Sequence, residues 1–179
     1  MKNSSIVLSG VLAGLTAMTG FEAVRFIVGA LFFHLDIPVI IGGMLLGKGA
    51  GMAAIRGVGL AVHYLIGISL GVIYALILAR LESPAGEEAR LSDPGSLIRK
   101  LHRLPYALKG LLYIQAAELI NLFGLFPAAG LGPAGVALGG VKPAVVSVAV
   151  HLAYGLIVGL TAPAFARILK PSAAAAGPR

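Results

Sequence analysis

Two stretches of this sequence, AVHYLIGISLG at residues 61–71 and AVHLAYGLIVG at residues 149–159, share one pattern of histidine and glycine. In each stretch the histidine is followed by glycines four and eight residues later, which places all three on one face of an α-helix. The residues are His63, Gly67 and Gly71 in the first stretch, and His151, Gly155 and Gly159 in the second. Each stretch lies in an apolar run long enough to cross a bilayer. The pattern therefore predicts a duplicated surface inside a membrane.

The composition is that of an integral membrane protein. Hydrophobic residues make up 58% of the 179 residues and charged residues only 12%, whereas about a quarter of the residues in a soluble domain are charged. The sequence contains no cysteine, which excludes disulfides and thiolate metal sites. It also lacks a P-loop, a Gly-x-Ser-x-Gly elbow and a His-Glu-x-x-His motif. These observations favour a non-catalytic role over an enzyme.

Four apolar blocks predict four transmembrane helices. The blocks cover residues 6–33, 58–79, 107–125 and 144–168. A shorter apolar block over residues 37–47 contains proline and glycine, and it predicts a re-entrant or interfacial segment. We therefore expect an all-α polytopic membrane protein with a single domain over residues 1–179. Its predicted parts are hairpin one (1–80), a cytoplasmic linker (81–106), hairpin two (107–170) and a tail (171–179).

Basic residues lie mostly on one side of the predicted membrane. That side holds Lys2, Arg80, Arg90, Arg99, Lys100, Arg103, Lys109, Arg167, Lys170 and Arg179, and the other holds Lys48, Arg56 and Lys142. The positive-inside rule places both termini and the linker in the cytoplasm of a bacterial inner membrane. The formal charge of +7 follows from this topology, so no nucleic-acid partner is expected. The expected partners are the lipid bilayer and either other membrane subunits or a second copy of the chain.

The two predicted hairpins resemble each other. Glu22 follows Gly14 by eight residues in the first span, and Glu118 follows Gly110 by eight residues in the third. Each of these spans is followed by a Gly/Pro-rich outer segment and then by a span that contains histidine. Because both hairpins begin in the cytoplasm, this order predicts a parallel repeat about an axis along the membrane normal.

Five ionisable residues lie at a similar predicted depth: Glu22, Arg25, His63, Glu118 and His151. Such residues cost about 2.5–3.5 kcal/mol each at the centre of a membrane helix, and they normally face the protein interior with a partner. Glu22 and Arg25 are one helical turn apart and can form an ion pair. We therefore expect one connected polar cluster inside the outer half of the bundle.

The histidine and glycine stretches allow more than one interpretation. Glycine at four-residue spacing is typical of close helix contacts, in which case no cofactor or metal is expected. Haem b held between His63 and His151 would use the same small residues to make room for its macrocycle. A metal site built from Glu22, Glu118 and the two histidines resembles the sites of helical bundles but lacks their Glu-x-x-His spacing. A small channel or proton-conducting protein would use Glu22, Arg25 and Glu118.

Short motifs in all four spans are similar to those of a known group of proteins. The first span contains GVLAG (10–14) and GFE (20–22), the third contains GLL (110–112), and a histidine opens the second and fourth spans. In these motifs the chain resembles the YagU-like inner-membrane proteins and their uncharacterised four-span relatives, although AVR (23–25) replaces their Pro-Pro-Arg. The resemblance implies a bacterial inner-membrane helical bundle. We expect a non-catalytic accessory or structural subunit of an inner-membrane assembly.

Reporter fusions test the predicted orientation. Alkaline phosphatase fused after residue 179 or inserted near Glu87 should be inactive, and the same reporter beside Lys142 should be active. The reason is that the enzyme matures only outside the cytoplasm, whereas the basic linker and tail hold their ends of the helices inside. Phosphatase activity of the fusion at residue 179 would contradict the predicted topology.

Overall fold

The computed structural model describes residues 3–47, 49–83, 88 and 97–169. In chain order the helices are α1 (Asn3–Leu31), α2 (Ile37–Leu46), α3 (Met52–Leu81), α4 (Leu97–Arg103), α5 (Tyr106–Ile120) and α6 (Lys142–Ile168). The described residues contain no β-strand. Four helical segments are long and apolar enough to cross a membrane by their length and composition. The chain is therefore a helical membrane protein with four spans, and the predicted all-α class is confirmed.

The third span is less regular than the other three. It continues from α5 through one π-helical turn (Asn121–Leu125) and one short α-helical turn (Phe126–Ala128). A 3₁₀ turn (Pro133–Leu138) then leads to α6. Turns of π-helix inside a transmembrane or soluble helix are rare and occur frequently at functional sites.

The outer segment after α1 is a helix that packs against α3. Asp36 caps α2 by accepting a hydrogen bond from the backbone N–H of Val39, at 3.3 Å. Pro38 occupies the first turn, where the missing N–H of proline removes no hydrogen bond of the helix. Asp36 also pairs with Arg56 of α3 at 3.0 Å. The apolar block at residues 37–47 thus packs against α3 and is too short to form a fifth span.

The predicted linker and tail are covered only in part. Helix α4 lies within the predicted linker at residues 81–106. Residues 84–87 and 89–96 of that linker and the predicted tail at 171–179 lie outside the described residues. So do Lys2, Lys48 and Lys170, which the orientation argument used.

The four spans form an incomplete ring. Helix α1 packs against α3 on one side and against α6 on the other, and α5 packs against α6. In the described part of the chain α3 and α5 share no extended contact. Tyrosines bridge them instead: Tyr113 donates to the carbonyl of Leu70 at 2.9 Å, and Tyr74 donates to the carbonyl of Tyr106 at 3.2 Å. The bundle is therefore open between α3 and α5.

Glycines set the closest approach within hairpin one. A Cβ added at Gly14 would lie 2.8 Å from the carbonyl oxygen of Gly67, and one added at Gly71 would lie 2.5 Å from that of Gly10. A Cβ at Gly67 would first meet the Met18 sulfur, also at 2.5 Å. These distances leave no space for a side chain at the contact between α1 and α3.

Hairpin two has the same kind of contact. A Cβ at Gly155 would lie 2.8 Å from the carbonyl oxygen of Gly110 and would also collide with Ile114. A Cβ at Gly159 would lie 2.6 Å from the carbonyl oxygen of Tyr106. All four glycines of the two quoted stretches therefore lie at contacts between the helices of a hairpin.

Substitutions at these glycines should distinguish a backbone contact from a side-chain contact. Gly155→Ala should lower the melting temperature more than Gly67→Ala. The new Cβ at residue 155 meets the fixed backbone carbonyl of Gly110, whereas the new Cβ at residue 67 meets the flexible thioether of Met18. Leucine at either position should cost more still, since overpacking costs about 1–3 kcal/mol or more. The control is Gly57→Ala, whose Cβ meets nothing within 4 Å. If leucine is tolerated at both positions, the packing interpretation is wrong.

Candidate functional site

The glycine contact in hairpin one brings a glutamate to a histidine on the neighbouring helix. Glu22 lies eight residues beyond Gly14, which is about 12 Å along α1. His63 lies four residues before Gly67, which is about 6 Å along the antiparallel α3 in the same direction. Helical side chains lean towards the N terminus of their own helix, so these two lean towards each other. The two side chains together span the remaining distance along the helix axes.

Glu22, Arg25 and His63 form the first hydrogen-bonded group. Arg25 donates from Nε and Nη2 to Oε2 of Glu22, at 2.8 and 2.7 Å. His63 Nδ1 lies 3.0 Å from Oε1 of the same carboxylate, and Arg25 Nη1 donates to the carbonyl of Leu35 at 3.2 Å. Because the guanidinium keeps the carboxylate ionised, Nδ1 of His63 is the donor in its contact. Its Nε2 has no hydrogen-bond partner among the described residues.

Glu118, Asn121 and His151 form the second group, with the same spacing from the glycines of hairpin two. His151 Nδ1 lies 2.9 Å from Oε2 of Glu118 and 2.8 Å from the carbonyl of Ser147. A carbonyl can only accept, so Nδ1 carries a proton here too. Asn121 Nδ2 donates to Oε2 of Glu118 at 3.0 Å and to Oγ of Ser147 at 3.1 Å. In the second group Asn121 therefore occupies the position that Arg25 occupies in the first, three residues after the glutamate.

The replacement of arginine by asparagine makes the two groups electrically different. In the first group the guanidinium of Arg25 balances the Glu22 carboxylate. In the second group Glu118 is only 1% exposed, and its Oε1 has no hydrogen-bond partner in the described structure. A buried carboxylate without a fixed cation is costly. The second group therefore holds Glu118 with Asn121 and His151 in place of an arginine.

Phe21 contacts both groups. Its ring centroid lies 5.1 Å from that of His63 and 5.1 Å from that of His151, and both contacts are T-shaped. The sequence predicted one connected cluster of Glu22, Arg25, His63, Glu118 and His151, and this stays a prediction. Within the described residues the polar contacts of these side chains form two groups, one in each hairpin. The two groups nevertheless meet at the same aromatic ring.

Both histidines line one cavity between α3 and α5. Its volume is about 250 Å³. Apolar side chains, among them Ile66, Leu70 and Ile120, form most of its wall. Ile66 and Ile120 are also exposed on the outside of the bundle, so the cavity opens towards the lipid. Since Nδ1 of His63 is bound by a carboxylate and Nδ1 of His151 by a backbone carbonyl, Nε2 is the atom that each histidine offers to a ligand.

The space that haem b would need beside the glycines is occupied by other parts of the protein. Gly67 faces Met18, and Gly155 faces Gly110 and Ile114. The cavity of about 250 Å³ is smaller than the roughly 300–1,000 Å³ typical of ligand pockets. The haem hypothesis remains a prediction, and the present arrangement of side chains does not fit it.

The hypothesis of a four-ligand metal site also lacks support. Among the described residues no three or more His, Cys, Asp or Glu side chains are grouped so that they could hold a metal ion. Glu22 is instead hydrogen-bonded to His63, and Glu118 lies 2.9 Å from Nδ1 of His151. The carboxylates therefore orient the imidazoles, and they do not converge with them on a common point.

An apolar layer closes the bundle on the side of the cavity that faces the N terminus of α1. Ala13 and Ala17 on α1, Ile114 on α5 and Val158 on α6 are fully buried. Below them lies a second cavity of about 170 Å³. It is lined by Glu82, Tyr106 and Arg167 among others. A continuous pore would have to open this layer.

Three parts of the site were not found from the sequence. Phe21 is one of many apolar residues in its span, so the sequence does not mark it. The backbone carbonyls of Leu35 and Ser147 accept hydrogen bonds that no sequence pattern predicts. The π-helical turn that begins at Asn121 was also missed. One signal was available: a hydrogen-bond donor follows each glutamate after three residues, at Arg25 and at Asn121. That recurrence indicates a local hydrogen-bond partner for each glutamate.

Comparison with known proteins supplies no role that can be transferred to this chain. No protein-family model, curated protein or solved structure matches it. The resemblance to the YagU-like proteins therefore stays a prediction. The function has to be inferred from the geometry of the two histidine groups and the cavity between α3 and α5.

Removal of Arg25 alone should destabilise the protein more than removal of Arg25 and Glu22 together. Arg25→Leu leaves the Glu22 carboxylate, which is only 15% exposed, without its countercharge, and we expect a loss of about 3 kcal/mol. The double variant Arg25→Leu, Glu22→Gln removes that stranded charge and should recover part of the loss. The measurement is the thermal unfolding of the purified protein in detergent.

A surface pair provides the matched control. Arg56→Leu removes the partner of Asp36, but the arginine side chain is 62% exposed, so its loss should change stability by no more than about 1 kcal/mol. Equal destabilisation by Arg25→Leu and by the double variant would show that the ion pair contributes nothing beyond its packing.

Proposed function

We propose that this protein is a non-catalytic binding protein of a bacterial inner membrane and an accessory subunit of a membrane assembly. Its ligand is a small molecule that is dissolved in the bilayer and enters the cavity between α3 and α5. One observation carries the proposal: His63 and His151 each have Nδ1 within 3.0 Å of a glutamate oxygen, and both line this cavity with Nε2 lacking a hydrogen-bond partner among the described residues.

Structural packing explains the glycines but not the histidines. A histidine that served only to join helices would need a single hydrogen bond and no carboxylate behind it. Each ionisable side chain in a span costs about 2.5–3.5 kcal/mol on insertion scales, and such residues commonly mark a functional site. The Glu–His arrangement occurs twice at one cavity, and a role in binding explains why the chain bears this cost.

Location and orientation form part of the same proposal. The excess of lysine and arginine on one side supports an orientation with both termini in the cytoplasm. The motifs shared with the YagU-like proteins support a bacterial inner membrane. Other membrane subunits, or a second copy of this chain, are the proposed protein partners.

Labelling of single-cysteine variants tests whether the cavity is occupied. The chain has no cysteine of its own, so each variant reports on one position. Ile66→Cys lines the cavity, whereas Leu76→Cys lies on the same helix away from it, and the native side chains are 44% and 45% exposed. A maleimide should react several-fold more slowly with Ile66→Cys when a lipophilic extract of the source membrane is added to the delipidated protein. Leu76→Cys should be unaffected.

Two results would contradict this proposal. Identical labelling of the Ile66→Cys variant with and without the extract would show that nothing in the membrane enters the cavity. Equal slowing of both variants would show general coating by lipid and no binding at the site.

A further inference from the structure

The geometry points to the chemical class of the ligand: we propose a neutral ring compound with carbonyl or phenolic oxygens, the chemistry of a quinone or quinol, bound between His63 and His151. This inference rests on the proposed function, because it names the ligand of the same cavity. Three features of the site carry it, namely its charge balance, its hydrogen-bonding groups and its size.

The charge balance favours a neutral ligand. The Glu22 carboxylate is balanced by Arg25, and Glu118 lies 2.9 Å from Nδ1 of His151. An anion at the imidazoles would face two carboxyl groups behind them with no free cation among the described cavity residues. A metal cation would find only two imidazole ligands, since the carboxylates are turned to Nδ1. Neither kind of ion is therefore well matched by the site.

The hydrogen-bonding groups match a pair of oxygens on one molecule. Each histidine uses Nδ1 within the protein, which leaves Nε2 for a ligand. A neutral imidazole with its proton on Nδ1 accepts a hydrogen bond at Nε2, and an imidazolium donates one there. A hydroxyl on the ligand can pair with the first form, and a carbonyl can pair with the second. Two polar contacts in a cavity with mostly apolar walls can orient an uncharged ligand.

The size and position of the cavity suit one substituted ring with a tail. An apolar cavity of roughly 150 Å³ is enough to bind benzene, and this cavity has about 250 Å³. Ile66 and Ile120 flank its opening and are exposed on the outside of the bundle. A hydrocarbon tail can leave between α3 and α5 into the lipid, which is also the route by which a membrane-dissolved molecule would arrive.

Binding of decylubiquinone to the full-length protein in nanodiscs tests the inference. Calorimetry should show saturable binding to the native protein. His63→Gln and His151→Gln should each weaken it by about tenfold, as expected when a buried hydrogen bond is lost. His102→Gln is the matched control, since His102 lies on α4 outside the cavity, and it should bind as the native protein does. Histidine nitrogen NMR should show a shift at Nε2 of both cavity histidines.

A second pair of variants keeps the test valid if the histidine variants fold poorly. Ile66→Trp fills the cavity from an exposed position and should abolish binding, whereas Leu76→Trp should not. Loss of binding in Ile66→Trp, together with unchanged binding in both histidine variants, would mean that only the tail occupies the groove, and the inference would be wrong.

The remaining outcomes separate this inference from the proposed function. If the membrane extract protects the Ile66→Cys variant but decylubiquinone does not bind, the cavity has a ligand of another class and the quinone assignment is overturned. If neither binds, both proposals fail. A Soret band in the purified protein that disappears in His151→Ala would overturn the quinone assignment in favour of haem b.

Discussion

Close backbone contact at glycine is the constraint on which the rest of this structure depends. The hydrophobic effect does not drive helices together in lipid, so their association relies on packing and on hydrogen bonds between helices. Gly14 against Gly67, and Gly110 against Gly155, set the register of the two hairpins. With that register, a glutamate on one helix reaches a histidine on the next in each hairpin.

The two hairpins use this common geometry with different charges. Arg25 neutralises Glu22, which contacts His63. Asn121 supplies a hydrogen bond but no charge to Glu118, which contacts His151. Two imidazoles with unlike neighbours therefore line one cavity. A strictly symmetric pair would offer the same group twice, and a ligand could not be oriented by the difference.

The opening between α3 and α5 turns this internal arrangement into an accessible site. Helices α1 and α6 pack together, but the corresponding pair on the other side of the ring is bridged by tyrosine side chains. The gap above those bridges holds the cavity with both histidines, and the buried layer that includes Ala13 and Val158 closes it from below. The site is therefore reached sideways, from the lipid, and not along the bundle axis.

Much of this protein follows from local properties of its sequence. Hydropathy and helical spacing predicted four spans, the glycine surfaces and the five ionisable residues, because a helix face and its polarity depend on neighbours within a few turns. The ring order of the helices, the contact of Phe21 with both imidazoles and the gap between α3 and α5 depend on contacts between distant segments. Only the tertiary structure decided them, since no local pattern specifies which helix faces meet.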